Sequence, residues 1–336
     1  MTTYKAPLRD MQFVMQDLLN FEKHYQSLPA CDEINQELID AILGEASKFS
    51  EEVVAPLNAV GDETGCEMLE NGEVRTPPGF KEAYQQYVDG GWPSLDQPSR
   101  YGGQDLPLSI GMTIREMAGT ANWSWAMYSG LSHGAMETID AHGSEEQKAL
   151  FMEPLVSGRW TGTMCLTEAH CGTDLGLLKT KAEPAADGTY RVTGSKLFVS
   201  SGEHDLAENI VHIVLARLPD APPGTKGISL FIVPKFVPND DGSIGERNNV
   251  RCGALERKMG IHGNSTCLLN FDGATGYLVG EENKGLHYMF TFMNFARLGT
   301  GLQGLAHSEL AFQNSLAYAR DRLQMRSLSG PKNPAG

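Results

Sequence analysis

Apolar side chains recur at helical spacing through the first half of the chain. The clearest repeat joins Leu38, Ile42, Ala46, Phe49 and Val53. Positions three and four apart share one face of a helix, so this run predicts an amphipathic helix, which Pro56 ends. Similar patterns predict helices over 11–25, 78–90, 108–118 and 123–142, and a short one that opens with a capping box at Ser144 and breaks at Pro154. Residues 1–160 are therefore predicted to form an all-helical domain.

After residue 160 the pattern changes to short apolar runs between turn residues. Strands are predicted over 161–167, 177–183, 190–200, 210–216, 228–233 and 266–271. Most of these runs are not separated by a helix-length segment, so the sheet is predicted to be antiparallel or mixed. Residues 161–281 are assigned to this β-domain, which makes the fold class α+β.

A helical pattern returns at Gly285 and continues for about 40 residues, or roughly 60 Å of helix. A helix of that length needs partner helices to cover its apolar face, and this sequence does not supply them. Residues 282–336 are therefore interpreted as the first long helix of an incomplete C-terminal helical domain.

Composition narrows the class of protein. A length of 336 residues fits two or three domains, and the formal net charge of −15 argues against a nucleic-acid surface and for a soluble protein. No apolar run reaches the roughly 18 residues of a membrane span, and the N-terminus lacks a signal-peptide pattern. The six cysteines include no C-x-x-C pair, so we predict neither a disulfide framework nor a zinc site. Reduced thiols in a cytoplasmic protein are the simple interpretation.

The first predicted strand continues into residues 164–174, Met-Cys-Leu-Thr-Glu-Ala-His-Cys-Gly-Thr-Asp. Gly172 is a breaker that ends the strand. Such a junction leaves backbone N–H groups and short hydroxyls free at the mouth of a strand, where they suit a planar ligand rich in acceptors.

This segment resembles the flavin-binding signature of the acyl-CoA dehydrogenases, in which Cys, an aliphatic residue, Thr and Glu precede Gly-Ser/Thr-Asp. Three further blocks of that family follow in order, at 194–202 (Gly-Ser-Lys-Leu-Phe-Val-Ser-Ser-Gly), at 256–260 (Glu-Arg-Lys-Met-Gly) and at 280–285, which leads to Arg297. Residues 4–32 resemble the extended subgroup that includes 3-methylmercaptopropionyl-CoA dehydrogenases. The implied fold has an N-terminal all-α domain, a mostly antiparallel central barrel or sandwich, and the start of a C-terminal helical bundle.

The resemblance implies bound FAD. The matching cofactor positions are Met164, Cys165, Leu166, Thr167, Thr173, Phe198, Val199 and Ser200. Leu166 and Thr167 would donate hydrogen bonds to the flavin pyrimidine edge and stabilise charge that develops there. Phe198 stands where the family has Trp, so it keeps a stacking face without the indole N–H. Each feature alone fits an ordinary strand end or an inward-facing strand aromatic.

Other matching positions are expected near the substrate or a neighbouring subunit. Thr173, Asn294 and Arg297 match substrate positions, and Arg297, if buried, would need a carboxylate partner from elsewhere in the fold. Arg322, with Gln324, is assigned to the FAD of a neighbouring subunit, although a solvated cation at a helix end fits Arg322 nearly as well. His170 is interpreted as a loop residue of the subgroup.

The resemblance further implies oxidation of an acyl-CoA to the trans-2-enoyl-CoA in fatty acid β-oxidation, with electrons passed to an electron-transferring flavoprotein. A homodimer or tetramer is expected of the intact protein. The family's catalytic base is a Glu, but Ala296 precedes Arg297 and no acidic residue lies between Glu282 and Glu309. The base is therefore expected beyond residue 336, and this chain alone is expected to be catalytically incomplete.

Three alternatives remain open. An acyl-CoA oxidase would share the fold and the flavin, and a non-catalytic flavin- or acyl-CoA-binding fragment would need no base. A serine hydrolase would use Ser132, because residues 130–134 fit G-x-S-x-G, but that motif requires a strand–turn–helix and these residues lie in a predicted helix. Residues 299–304 fit G-x-G-x-x-G, also inside a helix, where we expect the glycines to permit close helix packing. The histidines and cysteines show no metal-ligand spacing, so no metal is predicted.

Overall fold

The computed structural model of the chain describes residues 4–29, 31–322, 324 and 328–330. Its N-terminal part is helical. The helices are α1 Leu8–Gln12, α2 Phe21–Tyr25, α3 Gln36–Phe49, α4 Leu57–Thr64, α5 Phe80–Asp89, α6 Leu108–Ala121, α7 Trp123–His142 and α8 Glu145–Val156. A ribbon of β1 Glu67–Met68 and β2 Val74–Arg75 separates α4 from α5.

Helices α1 to α6 and the first half of α7 pack around one apolar core, whereas α8 packs in a second core with the sheet. Leu43 of α3, Phe80 of α5 and Ile110 of α6 are fully buried in it with Trp125 and Tyr128 of α7. The indole N–H of Trp125 donates to the Phe80 carbonyl at 3.2 Å, so the polar atom of this large ring is satisfied inside the core. This packing fixes α6 and α7 side by side.

The second part of the chain is a sheet of mixed direction. Its strands are β3 Trp160–Cys165, β4 Lys181–Pro184, β5 Tyr190–Val199, β6 Asn209–Ala216, β7 Ser229–Pro234, β10 Val250–Leu255 and β11 Cys267–Val279, with a separate hairpin of β8 Phe236–Pro238 and β9 Ile244–Arg247. The order is β3-β6-β7-β11-β5-β4, and β10 adds to β11. Only β3 and β6 pair in parallel among these strands. Backbone bonds of Arg217 with Thr180 and Ala182 bring the region of β4 back to the end of β6, which curves the sheet toward a barrel.

Strand β3 is the edge strand of the sheet that packs against α7. Its parallel partner β6 is buried along its whole length. The backbone N–H of Gly162 donates to Ser132 Oγ at 3.0 Å, and a Cβ at Gly162 would lie 2.4 Å from the Ala135 side chain. Because Gly162 has no side chain, α7 can approach β3 closely. This contact holds the end of β3 beside the helical domain.

The helix α9, Gly285–Asp321, follows β11 and returns across the helical domain. It packs against α7, where a Cβ at Gly134 would lie 2.5 Å from the Phe292 ring. The side-chain amide of Gln313 accepts from the Lys5 N–H at 3.0 Å and donates to the Lys5 carbonyl at 2.7 Å. The N-terminal segment is therefore bonded to the C-terminal half of α9.

The α+β class is confirmed, and several local predictions need correction. Pro154 does not break α8, which continues past it to Val156, so the proline lies in the last turn of the helix. Pro56 follows the end of the predicted helical run, as expected, but α4, which begins directly after it, was not predicted. The strands β8, β9 and β10 were not predicted, because β8 and β9 have only three and four residues and the apolar pattern of β10 is interrupted at Arg251 and Gly253. Among the described residues, none of the helices has the length and apolarity that a membrane span requires.

The predicted role of the glycines in α9 has no counterpart among the described residues. A Cβ at Gly299, Gly301 or Gly304 would meet no atom within 4 Å in the described part of the chain, so these glycines do not serve a close helix contact here. The glycine that does permit close approach is Gly134, on the facing helix.

Candidate functional site

The end of β3 carries the main candidate site. Cys165 is fully buried, while Leu166 and Thr167 leave the strand half-buried. The backbone N–H of Leu197 donates to the Thr167 carbonyl at 2.8 Å, which places Thr167 directly beside the end of β5. We call Leu166, Thr167 and Phe198 the strand-end ledge.

A buried ion pair holds this ledge in place. The Lys196 ammonium lies 2.9 Å from Glu168 and also donates to the Leu166 carbonyl at 3.0 Å, and both charged side chains are at most 5% exposed. Glu168 also accepts bonds from the Lys179 N–H and from Thr180. Burial raises the pKa of Glu168, but Lys196 and these donors outweigh it and lower the pKa to about 2. Both oxygens of this carboxylate are therefore occupied by bonds within the protein.

Phe198 is exposed for a backbone reason. Its φ is +57°, and the pairing of β5 with β11 shifts register between Lys196 and Val199. A left-handed aromatic residue stores roughly 1–3 kcal/mol of strain. The irregularity turns the ring outward, so it is 61% exposed although the Val199 side chain beside it is buried. Such strain at an exposed aromatic residue marks a candidate binding surface.

The ledge also presents unused donors. Among the described residues, no acceptor bonds the N–H or the hydroxyl of Thr167. Gly172 lies against Thr167, and Thr173 is exposed beside it. Free donors next to an exposed aromatic face suit a planar ring with several acceptor atoms, and the isoalloxazine of a flavin has that chemistry. The residues present thus fit the cofactor that the sequence predicts.

An apolar cavity of about 270 Å³ lies next to Met164, between α6, α7 and α9. Its wall includes Met112 of α6, Met127 of α7, and Phe292 and Phe295 of α9. No carboxylate lines it among the residues that the structure describes. A concave apolar site with few polar groups suits an aliphatic chain.

One wall of the cavity rests on a buried polar network. Arg115 donates to Asp96 at 3.0 Å and to His133 Nδ1 at 2.8 Å, and Phe295 stacks on His133 at 4.0 Å. Burial, with Arg115 beside it, lowers the pKa of His133 to about 3, so the imidazole is neutral. The network therefore orients the aromatic face of Phe295 without placing a further cation at the wall.

Comparison with known proteins identifies the family of the chain. Two family models match the chain, the acyl-CoA dehydrogenase N-terminal domain over residues 36–159 and the acyl-CoA dehydrogenase middle domain over residues 163–274. The chain belongs to the acyl-CoA dehydrogenase family. The 3-methylmercaptopropionyl-CoA dehydrogenase of Ruegeria pomeroyi is 45% identical over 99% of this chain, which spans 56% of that protein.

Solved structures share the fold. An acyl-CoA dehydrogenase from Bacillus anthracis, solved in complex with FAD, has a TM-score of 0.71 and 25% identity, covering 88% of this chain and 46% of that one. A chain from the structure of the electron transferring flavoprotein of Acidaminococcus fermentans has a TM-score of 0.72 and 25% identity, covering 90% of this chain and 73% of that one.

The family positions on α9 lie at its surface. Arg297 and Asn294 are both exposed, and the Arg297 guanidinium donates to Oδ1 of the Asn294 side chain at 2.9 Å. Arg297 therefore needs no buried carboxylate partner here. Arg322 is exposed at the C-terminal end of α9 with its side chain on Tyr318. It lies 25 residues, or roughly 37 Å of helix, beyond Arg297, so the chain does not bring the two arginines together. Gln324 is also exposed, and the roles of all four residues stay predictions.

His170 belongs to a small cluster beside the ledge. Glu168, His170 and Cys171 offer possible metal-ligand atoms within 4.8 Å of one another. Glu168 Oε1 accepts from Lys196 and Thr180, and Oε2 accepts from the Lys179 N–H. His170 Nε2 lies 2.9 Å from the Leu177 carbonyl. These contacts explain the cluster as part of the loop that closes β3.

The two competing motifs lie inside helices, as predicted. Ser132 is in the middle of α7, where its hydroxyl bonds the Tyr128 carbonyl and the Gly162 N–H. His133 Nδ1 faces Arg115 and not the serine, so no nucleophile–base pair forms. Residues 299–304 lie within α9 with no strand leading into them. Neither context supports hydrolysis or a dinucleotide-binding turn.

The sequence interpretation missed the cavity and the Glu168–Lys196 pair. A signal for the cavity was present, because α7 is apolar around most of its circumference and carries Gly130 at a position where a Cβ would meet no atom within 4 Å. A helix that is apolar on all sides is buried on all sides, and a small residue there leaves space. Pairing Glu168 with Lys196, 28 residues apart, required the strand register.

Proposed function

We propose that the protein to which this chain belongs catalyses FAD-dependent α,β-dehydrogenation of an acyl-CoA thioester to the trans-2-enoyl-CoA. The observation that carries the proposal is the position of Met164. Its side chain lines the apolar cavity, and its backbone leads within three residues to the donors of the strand-end ledge. An acyl chain in the cavity would thus end beside a flavin on the ledge.

The assigned cofactor is FAD, which supplies a hydride acceptor when it is bound. Thr167 offers its free N–H and hydroxyl to the polar edge of the ring, and Phe198 offers its face. Lys196 and Glu168 fix these groups without contacting the ligand, since both are buried beneath the ledge. Fixed donors aimed at developing negative charge lower a barrier because they need no reorganisation.

The proton at the α-carbon requires a base that the cavity wall does not provide in the described part of the chain. The lining residues are apolar or neutral apart from Arg115. Arginine stays protonated in proteins, so it cannot accept this proton. We therefore place the base outside the described cavity wall.

Electrons are proposed to pass to an electron-transferring flavoprotein. The family membership and the structural likeness to the chain from Acidaminococcus fermentans support this partner. The acyl chain is one that the apolar cavity accommodates, and the 45% identity to a 3-methylmercaptopropionyl-CoA dehydrogenase is compatible with a thioether-bearing chain.

An anaerobic visible spectrum of the chain supplied with FAD tests the proposal. We expect a protein-bound flavin band that shifts when octanoyl-CoA is added, because acyl chain and flavin share one site. Bleaching of the band would further place a base within this chain. A bound flavin band that no acyl-CoA perturbs would contradict the shared site, and a chain that binds neither ligand would contradict the function.

A further inference from the structure

Trp123 separates the apolar cavity from a second, larger space. That space is a groove of about 610 Å³ between α4, the start of α7 and α9. Its walls include Asn58, Asp62, Leu310 and Ala311. Trp123 is the one described residue that lines both the cavity and the groove.

The position of the Trp123 indole is set by packing alone. The ring lies on Gly119, where a Cβ would come within 2.7 Å of two indole carbons. It makes a T-shaped contact with the His307 ring, with centroids 5.9 Å apart and an interplanar angle of 89°. The indole Nε1 is buried and has no hydrogen-bond partner in the described parts of the chain. Because no hydrogen bond holds this large side chain, its replacement by a smaller one would join the two spaces without breaking a polar network.

The two spaces differ in chemistry. Among the described lining residues, the cavity has no acidic side chain, whereas the groove has Asp62 and Glu63 and several amides. An aliphatic chain gains free energy in the cavity only as far as the indole. Beyond it, the Leu310 and Ala311 surface of the groove would be the next apolar contact.

We infer that Trp123 is the end wall of the acyl-binding cavity and limits the length of the acyl chain that this protein accepts. The inference rests on the proposed function and adds a specificity-determining residue to it. Each buried methylene strengthens binding about fourfold, so a wall appears as a break in a plot of affinity against chain length. Chains longer than the cavity gain nothing further from their last carbons.

The test is the dissociation constant of a homologous series from butyryl-CoA to palmitoyl-CoA, measured by calorimetry on the full chain supplied with FAD. In the wild type we expect affinity to rise along the series and then level off. In Trp123→Ala the break should move to longer chains. The dissociation constant of palmitoyl-CoA should then be lower than that of the wild type by a factor of roughly ten or more. Trp123→Phe should move it less, because a smaller ring still closes most of the opening.

Two further variants make the result specific. Leu302→Ala enlarges the cavity but does not open it to the groove, so it should move the break less than Trp123→Ala does. Adding Ala311→Trp to Trp123→Ala refills the groove, and it should return the break toward its wild-type position. If Trp123→Ala does not fold well enough for titration, Trp123→Phe measured with and without Ala311→Trp carries the same test.

The outcomes separate the inference from the proposed function. An unchanged break in the Trp123 variants, in protein that binds acyl-CoA with a length dependence, would overturn the end-wall role and leave the function standing. A wild type without any length-dependent acyl-CoA binding would overturn the function itself. A break that moves equally in Leu302→Ala and Trp123→Ala would show that the groove takes no part.

Discussion

The two sides of the candidate site are held by different kinds of interaction. On the sheet side, a fully buried ion pair and backbone bonds fix the strand-end ledge, and the Lys196 side chain has no exposed surface. On the helical side, methionine and aromatic side chains surround the cavity, and Gly130 and Gly299 leave open space beside them. The polar side is fixed by directional bonds. The apolar side has such bonds behind Phe295, through Arg115 and His133, and is otherwise defined by the shapes of its side chains.

This contrast matches what each side is proposed to do. Donors that stabilise developing charge must be preorganised within a fraction of an ångström, which requires directional contacts. A flexible aliphatic chain needs volume and apolar surface instead, and loosely constrained methionines adapt to it. Substitutions on the two sides should therefore differ in the size and the kind of their effects.

The largest expected effect comes from breaking the buried ion pair. Lys196→Met should lower the free energy of unfolding by about 3–5 kcal/mol, because Glu168 is left buried without its counter-charge. Chemical denaturation measures the loss. Lys48→Met removes an exposed pair with Glu45 and should cost less than about 1 kcal/mol. Equal effects of the two substitutions would contradict the account of the ledge.

The same pair predicts a pH dependence of stability. The folded-state pKa of Glu168, about 2, lies below its ordinary value of 4.5. The unfolded chain therefore takes up this proton first on acidification, so the stabilisation is complete above pH 4.5 and is lost as the pH falls toward 2. Thermal unfolding between these pH values should show a steeper loss in the wild type than in Glu168→Gln. Parallel curves for the two proteins would rule out the ion pair as the cause.

A smaller effect is expected where α7 meets α9. Gly134→Ala places a methyl group against the Phe292 ring and should cost about 1–3 kcal/mol. Gly301→Ala adds the same methyl group where no described atom lies within 4 Å, and it should stabilise α9 by up to about 1 kcal/mol. Chemical denaturation measures the change in the free energy of unfolding for each variant. Changes of opposite sign would support the packing described here, and changes of the same sign would contradict it.

The sequence predicted elements that short-range patterns control. The bounds of α7 followed from helical periodicity between Asn122 and Gly143, and the capping box at Ser144 is present with both of its bonds. The segment around Thr167 was found through its family resemblance, and its strand ends at Cys165, two residues before the predicted bound. These features depend on neighbours within a few positions, so the sequence contains the information directly.

Long-range features could not be predicted in this way. The cavity needs α6, α7 and α9 at fixed angles, and no local pattern specifies those angles. The outward turn of Phe198 depends on a register shift between β5 and β11, about 70 residues apart in sequence. Helical spacing placed Arg297 in an apolar stretch, but it could not tell that this position faces outward.

The most direct measurement of the central claim is the affinity for FAD of two matched variants, Phe198→Ala and Phe312→Ala. Both remove an aromatic ring that is 61% exposed, one on the ledge and one on α9. Flavin fluorescence titration should show roughly tenfold weaker binding for Phe198→Ala, given the free energy of an aromatic stacking contact, and no change for Phe312→Ala. Unchanged affinity in Phe198→Ala would contradict the assignment of the strand-end ledge to the flavin.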